Sequence, residues 1–130
     1  MANFFPAELS KDFDVVLSAI PKRTFYECQK LKSVVISNSV TSIGEYAFAY
    51  ANRALTSIEL PSSITCIENN AFYYCYSLKE ITCNAINPPT IYESTFVNYS
   101  ANLYVPIGSG SRYRNADYWK KFNVVQTPKL

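Results

Sequence analysis

Residues 55–77 read LTSIELPSSITCIENNAFYYCYS, and this stretch is the most complete copy of a pattern that recurs on both sides of it. Its apolar positions are Leu55, Ile58, Leu60, Ile64, Ile67 and Phe72. The upstream copy repeats their spacing with Leu31, Val34, Ile36, Val40, Ile43 and Phe48, and the downstream copy with Leu78, Ile81, Cys83, Ile91 and Phe96. The leucines that open the copies are 24, 23 and 25 residues apart when Leu103 is counted as a fourth. Self-similarity at such a period indicates stacked repeats.

Each copy contains the elements of one coil of a solenoid. In LTSIEL, Ser57 and Glu59 alternate with inward apolar residues, as in a strand with one buried face. Pro61 turns the chain, and the asparagines at 69–70 can cap a short helical turn that carries Phe72 inward. A period of roughly 20–29 residues with this opening is the signature of a leucine-rich repeat. The sequence therefore predicts a leucine-rich-repeat solenoid, a right-handed β/α superhelix of short parallel strands with short helical or 3-10 turns. We expect about three full coils plus N- and C-terminal caps.

The whole chain of 130 residues is expected to form a single leucine-rich-repeat domain. Residues 1–16 match the repeat poorly and are interpreted as a degenerate N-terminal cap. Residues 17–102 carry the repeats, and residues 103–130 are expected to form the final strand and a C-terminal cap helix. Such caps are needed because the end coils of a solenoid otherwise expose the core.

Two segments depart from the repeat. In residues 86–91, INPPTI replaces the regular SITCI stretch, and proline cannot donate a backbone hydrogen bond. We expect this segment to bulge or run extended at the surface. In residues 113–122, Tyr113, Trp119 and Phe122 have helical spacing, which predicts a cap helix with Trp119 over the open end of the core.

The net charge of +2 is unevenly distributed, because residues 111–130 carry five basic side chains against the single carboxylate of Asp117. Without a long basic run, this segment is typical of a solvated terminal element, and no nucleic-acid partner is predicted. No apolar run approaches the roughly 18 residues that a bilayer crossing needs, so no membrane insertion is predicted.

The four cysteines are expected to be free and mostly buried thiols. Cys28 and Cys75 hold the same position two coils apart. At about 4.8 Å per coil their Cα atoms would be about 10 Å apart, beyond the roughly 7 Å that a disulfide tolerates. The chain contains no histidine and no CxxC motif, which argues against a zinc site and against Ser-His-Asp or Cys-His catalysis. We therefore predict no catalytic residue, no metal ligand and no cofactor.

The pattern LxxIxLPxSITxIxxxAFxxCxxL resembles the BspA-type leucine-rich repeats of bacterial surface proteins. The ending LYVPIGSGSRYRNADYWKKFNVV is similar to the C-terminal cap of Bacteroidetes members of that family. The resemblance covers about residues 15–125. It implies a non-enzymatic, exported protein linked to adhesion or to the binding of host proteins, glycans or other bacteria.

Two surfaces are candidates for ligand binding. The first is the outward face of the strands, whose small polar side chains suit an extended peptide or a glycan. Its candidate residues are Ser33, Ser57, Glu59, Glu80 and Thr82. The second is the tyrosine-rich region around the turns, since tyrosine combines a large contact area with a polar tip. Its candidate residues are Tyr73, Tyr74 and Tyr76, accompanied by Tyr26, Tyr46, Tyr50, Tyr92 and Tyr99. About half of these tyrosines are expected to pack within the convex layer.

These observations favour a non-catalytic binding or adhesion module for a protein or glycan ligand. The alternative is a structural or self-assembly unit, a homo-oligomer that stacks through exposed solenoid edges and ends. The resemblance implies a cell-surface or secreted location. The first residues, MANFFPAELSKDF, contain no signal-peptide pattern, which keeps a cytoplasmic location open as the alternative.

Overall fold

A computed structural model describes residues 18–51 and 53–126. In these ranges the strands are β1 (Ala19–Ile20), β2 (Ser42–Ile43), β3 (Ser57–Leu60), β4 (Cys66–Ile67), β5 (Glu80–Cys83), β6 (Asn102–Val105) and β7 (Asn123–Gln126). A short helix, α1 (Gly110–Arg114), and a 3-10 turn (Trp119–Lys121) lie between β6 and β7. The predicted N-terminal cap at residues 1–16 lies outside the described residues.

The strands form two parallel sheets that run side by side along the stack. One sheet has the order β1-β2-β4, and the other has the order β3-β5-β6-β7. In chain order, β1 and β2 belong to the first sheet, β3 to the second, β4 to the first, and β5, β6 and β7 to the second, so not every coil adds a strand to both sheets. The result is a solenoid of about five turns, which confirms the predicted leucine-rich-repeat fold. β1 and β7 extend the stack on either side of the three central repeats.

Strand register confirms that the central repeats are equivalent. Ile58 pairs with Ile81 and Leu60 with Cys83 in one sheet, and Ile43 pairs with Ile67 in the other. The predicted inward positions of the central repeat are all buried, namely Leu55, Ile58, Leu60, Ile64, Ile67 and Phe72. Equal spacing of apolar residues thus translates directly into a continuous core, because a like residue lies above each of them.

A ladder of four phenylalanine rings runs through this core. Phe25 stacks on Phe48 at 5.1 Å, Phe48 on Phe72 at 5.1 Å, and Phe72 on Phe96 at 4.9 Å between ring centroids. The rings are nearly parallel, with interplanar angles of 16°, 2° and 8°. These separations match the roughly 4.8 Å between parallel strands, so side-chain stacking and backbone pairing share one period.

The turns that carry these phenylalanines are not helical, which corrects the predicted short helical or 3-10 turns. In the central coil the Tyr73 N–H donates to the Asn70 carbonyl (3.1 Å) and the Cys75 N–H donates to the Phe72 carbonyl (3.1 Å), as in consecutive β-turns. Asn70 and Tyr74 both have a φ angle of 61°. A residue in this left-handed region cannot continue a right-handed helix, so the asparagines open a turn instead.

Backbone donors of the turns bond to the next coil. The Phe48 N–H donates to the Ala71 carbonyl (2.8 Å), and the Phe72 N–H donates to the Thr95 carbonyl (2.9 Å). In a helix each of these donors would bond four residues back within its own coil. Here they join neighbouring coils, so the turns form a third hydrogen-bonded ladder beside the two sheets.

Leu103 lies in a different register from the one its sequence position indicates. It was expected to open a coil in the same way as Leu78, but it pairs with Ile81, three positions later. The reason is a shorter path through this coil: seven positions separate Phe96 from Leu103, where nine separate Phe72 from Ile81. Because this path is two residues shorter, Leu103 reaches the inward position of Ile81 and not that of Leu78.

The C-terminal segment folds as two short helical pieces, which corrects the single helix predicted over residues 113–122. Tyr118 has a φ angle of 68° and separates α1 from the 3-10 turn. The predicted inward side chains Tyr113, Trp119 and Phe122 are nevertheless buried. Trp119 packs against Phe96 at 5.7 Å, so it covers the last ring of the ladder as expected.

The proline segment is partly extended, as the sequence predicts. Thr90 forms a single parallel bridge with Cys66, and Ile86 is 60% exposed. The carbonyl of Pro89 accepts a hydrogen bond from the Trp119 indole N–H at 2.8 Å. This bond ties the C-terminal segment to the coil that departs most from the repeat.

We predict that Phe72→Ala lowers the free energy of unfolding by about 3–5 kcal/mol. Phe72 is fully buried between two stacked rings, so its loss leaves a cavity that neighbouring coils cannot fill. Urea unfolding followed by circular dichroism measures the change. Val35→Ala is the control, because Val35 is 69% exposed and its truncation should cost less than about 0.5 kcal/mol. Equal stability of the two variants would contradict the ladder.

Candidate functional site

The first candidate surface is the outward side of β3, β5, β6 and β7, termed here the strand face. Register places two rows of side chains across it. One row consists of Ser57, Glu80, Asn102 and Asn123, and the other of Glu59, Thr82, Tyr104 and Val125. The predicted residues Ser57, Glu59, Glu80 and Thr82 therefore do lie together, with Ser57 beside Glu80 and Glu59 beside Thr82.

Hydrogen bonds between coils hold several of these side chains in place. The Asn84 amide donates to the Glu59 carboxylate at 2.8 Å, and the Asn123 amide donates to the Asn102 side-chain oxygen at 2.7 Å. The Tyr104 hydroxyl lies 3.5 Å from the Glu80 carboxylate. Side chains fixed in this way lose less conformational freedom when a ligand binds.

Ser33 does not belong to the strand face, which corrects its predicted position in the row of Ser57 and Glu80. Residues 31–37 form no strand, although their apolar side chains pack against the core. Ser33 itself is exposed.

A recess of about 450 Å³ opens beside the strand face. It lies between residues 62–65 and residues 84–89, and its floor includes Ile64 and Pro89. Asn84 belongs to both features, since it lines the recess and binds Glu59 of the strand face. This recess was not predicted from the sequence. Its signal in the sequence is the proline pair at 88–89, which interrupts the repeat.

The second candidate surface is a cluster of tyrosine rings on the turns, termed here the tyrosine platform. Its members are Arg23, Tyr26, Tyr46, Tyr50, Tyr73, Tyr74 and Tyr76. Ring centroids of neighbouring members are 4.6–6.3 Å apart, and the cluster spans three coils. The predicted candidates Tyr73, Tyr74 and Tyr76 lie at one end of it, and Tyr74 (37%) and Tyr76 (53%) are the most exposed.

Four of the rings close into a square around a small residue. Tyr26 and Tyr73 occupy the position after the ladder phenylalanine in their coils, and the coil between them has Ala49 there, fully buried. Tyr46 and Tyr50 of that middle coil fill the space on either side of Ala49. Each contacts both Tyr26 and Tyr73, at 5.4–6.3 Å with edge-to-face angles of 70–87°. Such separations are contact distances, so the four rings pack against one another.

Arg23 ends the platform on the side of the first described coil. Its guanidinium lies 4.7 Å from the centroid of Tyr26 and 5.2 Å from that of Tyr46. A guanidinium over two rings gains cation–π energy from both. Arg23 was not predicted from the sequence, because a single arginine in a turn forms no recognisable pattern. For the same lack of a pattern, the sequence did not predict three residues of the strand face, namely Asn102, Tyr104 and Asn123.

Several platform tyrosines occupy an unfavourable backbone conformation. The φ angles of Tyr46, Tyr50 and Tyr74 are 59°, 65° and 61°. This left-handed region costs an ordinary side chain roughly 1–2 kcal/mol, and asparagine or glycine tolerates it best. Asn70 occupies the position equivalent to Tyr46 in the next coil. Arg23 and Glu27 take the same conformation at the equivalent positions of the first described coil, so the repeat imposes it on the residue that stands there.

The hydroxyls of Tyr50 and Tyr73 remain protonated at neutral pH. Burial raises the pKa of Tyr50, and the neighbouring Tyr74 raises the pKa of Tyr73. They are therefore available as hydrogen-bond donors to a ligand. Tyr92 and Tyr99 lie elsewhere: Tyr99 packs against Phe122 at 4.8 Å, and Tyr92 is exposed beside Cys66.

The cysteines are free, as predicted, and burial makes two of them unreactive. Cys75 and Cys83 are buried, whereas Cys28 and Cys66 are partly exposed. Burial raises the pKa of the Cys75 thiol to about 12 and also raises the pKa of Cys83. Within residues 18–51 and 53–126, no three cysteine or carboxylate side chains converge in a way that could hold a metal ion. None of the helices in those ranges has the length and hydrophobicity needed to cross a bilayer.

The model of the BspA type leucine-rich repeat region matches residues 16–123 of this chain in six copies. Repeats of this type commonly mediate protein binding or adhesion, are generally non-catalytic, and typically occur in surface proteins. A search of curated proteins finds no match.

We predict that stability falls above pH 9 partly because of Cys75. Its thiol ionises near pH 9.0 when unfolded and near pH 12 when folded, so it stabilises the fold below pH 9 and loses that contribution as the pH rises toward 12. Cys75→Ala mimics Ala51, which holds this position in the preceding coil. Between pH 9 and 11 the variant should lose about 2 kcal/mol less stability than the wild type. Urea unfolding of both proteins at each pH measures how much stability each one loses. Equal losses in the variant and the wild type would contradict the prediction.

We predict that Tyr46→Asn is more stable than Tyr46→Ala by about 1 kcal/mol. Both variants lose the ring contacts with Tyr26 and Tyr73, but only asparagine suits the φ angle of 59°. Thermal and urea unfolding of the two variants isolate the backbone contribution. Equal stabilities would show that the turn does not hold residue 46 in the left-handed region.

Proposed function

The chain belongs to the BspA-type leucine-rich repeat family, and we propose that it is a non-catalytic module that binds a protein or glycan ligand along the strand face. The observation that carries this proposal is the pair of rows across β3, β5, β6 and β7, which are polar at every position except Val125 and of which several side chains form hydrogen bonds between coils. Ligand atoms spaced along the stack would meet a polar group at every coil.

Charge and hydrogen-bonding capacity define the kind of ligand. Glu59 and Glu80 supply acceptors, Ser57 supplies a hydroxyl, and Asn102 and Asn123 supply amide groups. Amide, hydroxyl and carboxylate groups pair well with sugar hydroxyls or with the backbone of an extended peptide. The recess beside Asn84, with its volume of about 450 Å³, offers room for a branch or side chain of the same ligand. We expect the ligand to be met at the cell surface, where repeats of this family typically occur.

A second candidate function is self-assembly through the edge of the four-stranded sheet. In the described part of the chain, β7 pairs with β6 on one side and with no strand on the other. An unpaired parallel edge is a template for a strand of a second copy. Light scattering separates the two proposals, because a monodisperse monomer in dilute solution would exclude self-assembly.

We predict that the triple variant Ser57→Ala, Glu59→Ala, Thr82→Ala loses binding on glycan and peptide arrays by about tenfold or more. The three side chains are adjacent on the strand face, so their truncation removes one continuous polar patch. Lys120→Ala is the control, because Lys120 is exposed on the 3-10 turn and belongs to neither the strand face nor the tyrosine platform. Array ligands retained equally by wild type and triple variant would show that the strand face is not the binding surface.

A further inference from the structure

The tyrosine platform has no role in the proposed strand-face function. Its rings pack against one another, so we expect a ligand to lie across the outer side of the cluster. The exposed parts are the rings of Tyr74 and Tyr76 at one end and the guanidinium of Arg23 at the other. Between them lies the square of four rings around Ala49. A ligand that contacts all of these groups runs parallel to the solenoid axis.

The spacing of the platform along that axis is fixed by the coils. Tyr26 and Tyr73 hold the same position two coils apart, which at about 4.8 Å per coil corresponds to about 9.6 Å. A polyproline II helix has three residues per turn and rises about 3.1 Å per residue, so it repeats its face every ~9.3 Å. The two periods agree within a few tenths of an ångström.

We propose that the tyrosine platform binds a proline-rich segment in the polyproline II conformation, laid along the solenoid axis. One proline of each turn would pack against Tyr26, and the proline one turn later against Tyr73. Tyr46 and Tyr50 would flank the residues between them. Proline rings pack well in aromatic-lined grooves, and a polyproline II helix leaves its backbone carbonyls unpaired as acceptors.

The chemistry of the platform matches those two needs. Its rings give apolar contact area, and its phenol hydroxyls can donate hydrogen bonds to the ligand carbonyls. Arg23 adds a positive charge at one end, which sets the direction of a ligand that carries an acidic residue there. Because neighbouring rings already restrain one another, little further ordering is needed when the ligand binds.

Ring orientation favours this ligand over a glycan. Tyr50 and Tyr74 each cover one face of the other, with centroids 5.1 Å apart and an angle of 17° between planes. Neighbouring rings of the square are steeply inclined to each other, at 70–87°. Sugars stack on a flat open aromatic face, whereas inclined rings suit the grooved surface of a polyproline II helix.

The test uses a synthetic peptide of about ten prolines, which spans roughly 31 Å as a polyproline II helix. A glycine-serine peptide of equal length is the matched control ligand, since it lacks both the rings and the preformed helix. Titration calorimetry and NMR of the wild-type chain measure binding. We expect saturable binding of the proline peptide and none of the control. Absence of binding at millimolar peptide, or equal binding of both peptides, would overturn the proposal.

Two tyrosine variants locate the site. Tyr46→Asn and Tyr74→Asn each remove a ring and place a residue suited to the left-handed backbone, so the fold is retained. Each should weaken proline-peptide binding by about tenfold. Tyr74→Phe keeps the ring and removes only the hydroxyl, and its smaller effect would separate stacking from hydrogen bonding. Unchanged affinity in both asparagine variants would overturn the proposal.

The strand-face triple variant separates this inference from the proposed function. Because Ser57, Glu59 and Thr82 lie on another side of the coil, their truncation should leave proline-peptide binding unchanged. Loss of proline binding in that variant alone would move the site to the strand face and overturn the assignment to the platform. Failure of the array experiment, in contrast, would leave proline binding by the platform intact.

Discussion

The solenoid depends on backbone N–H groups that point along the stack. In the coils of Phe25, Phe48 and Phe72, the residues two positions before and after the ladder phenylalanine take left-handed φ angles, as at Asn70 and Tyr74. This conformation releases the Phe72 N–H from helical bonding, and it bonds to the Thr95 carbonyl of the next coil instead. A single coil cannot satisfy these donors. Stacking is therefore imposed by the backbone as well as by the apolar side chains.

The same turns determine what the protein presents to its surroundings. Residues with left-handed φ angles project their side chains away from the core. The side chains at these positions therefore lie on the surface at intervals of one coil. Tyr46, Tyr50 and Tyr74 are such residues, and the burial of Ala49 lets their rings close over it. The strand face follows the same interval on another side of the coil, with polar side chains in place of aromatic ones. One period thus generates two chemically different surfaces.

Residue spacing made the core predictable, because Phe72 and Ile58 recur at equal intervals and must lie over their equivalents. The same reasoning located Ser57, Glu59, Glu80 and Thr82 on one face. This reasoning gave the wrong register where the coil length changes, as at Leu103. The apolar pattern looks the same when a residue moves from one inward position to another, so the spacing does not reveal the shift. This reasoning also failed at the turns, because left-handed φ angles in residues other than glycine leave no signal in the sequence. The closed square of tyrosines requires those angles, so only individual members were identified.

The position of Trp119 determines what a spectroscopic experiment on this protein can observe. It is the chain's single tryptophan, and its indole is buried against Phe96 and Tyr113. Its N–H is bonded to Pro89, so its surroundings belong entirely to the C-terminal coils. Repeat arrays can unravel from either end. Intrinsic indole emission is thus a local probe of one end of the solenoid, and the platform coils at the other end can open without altering it.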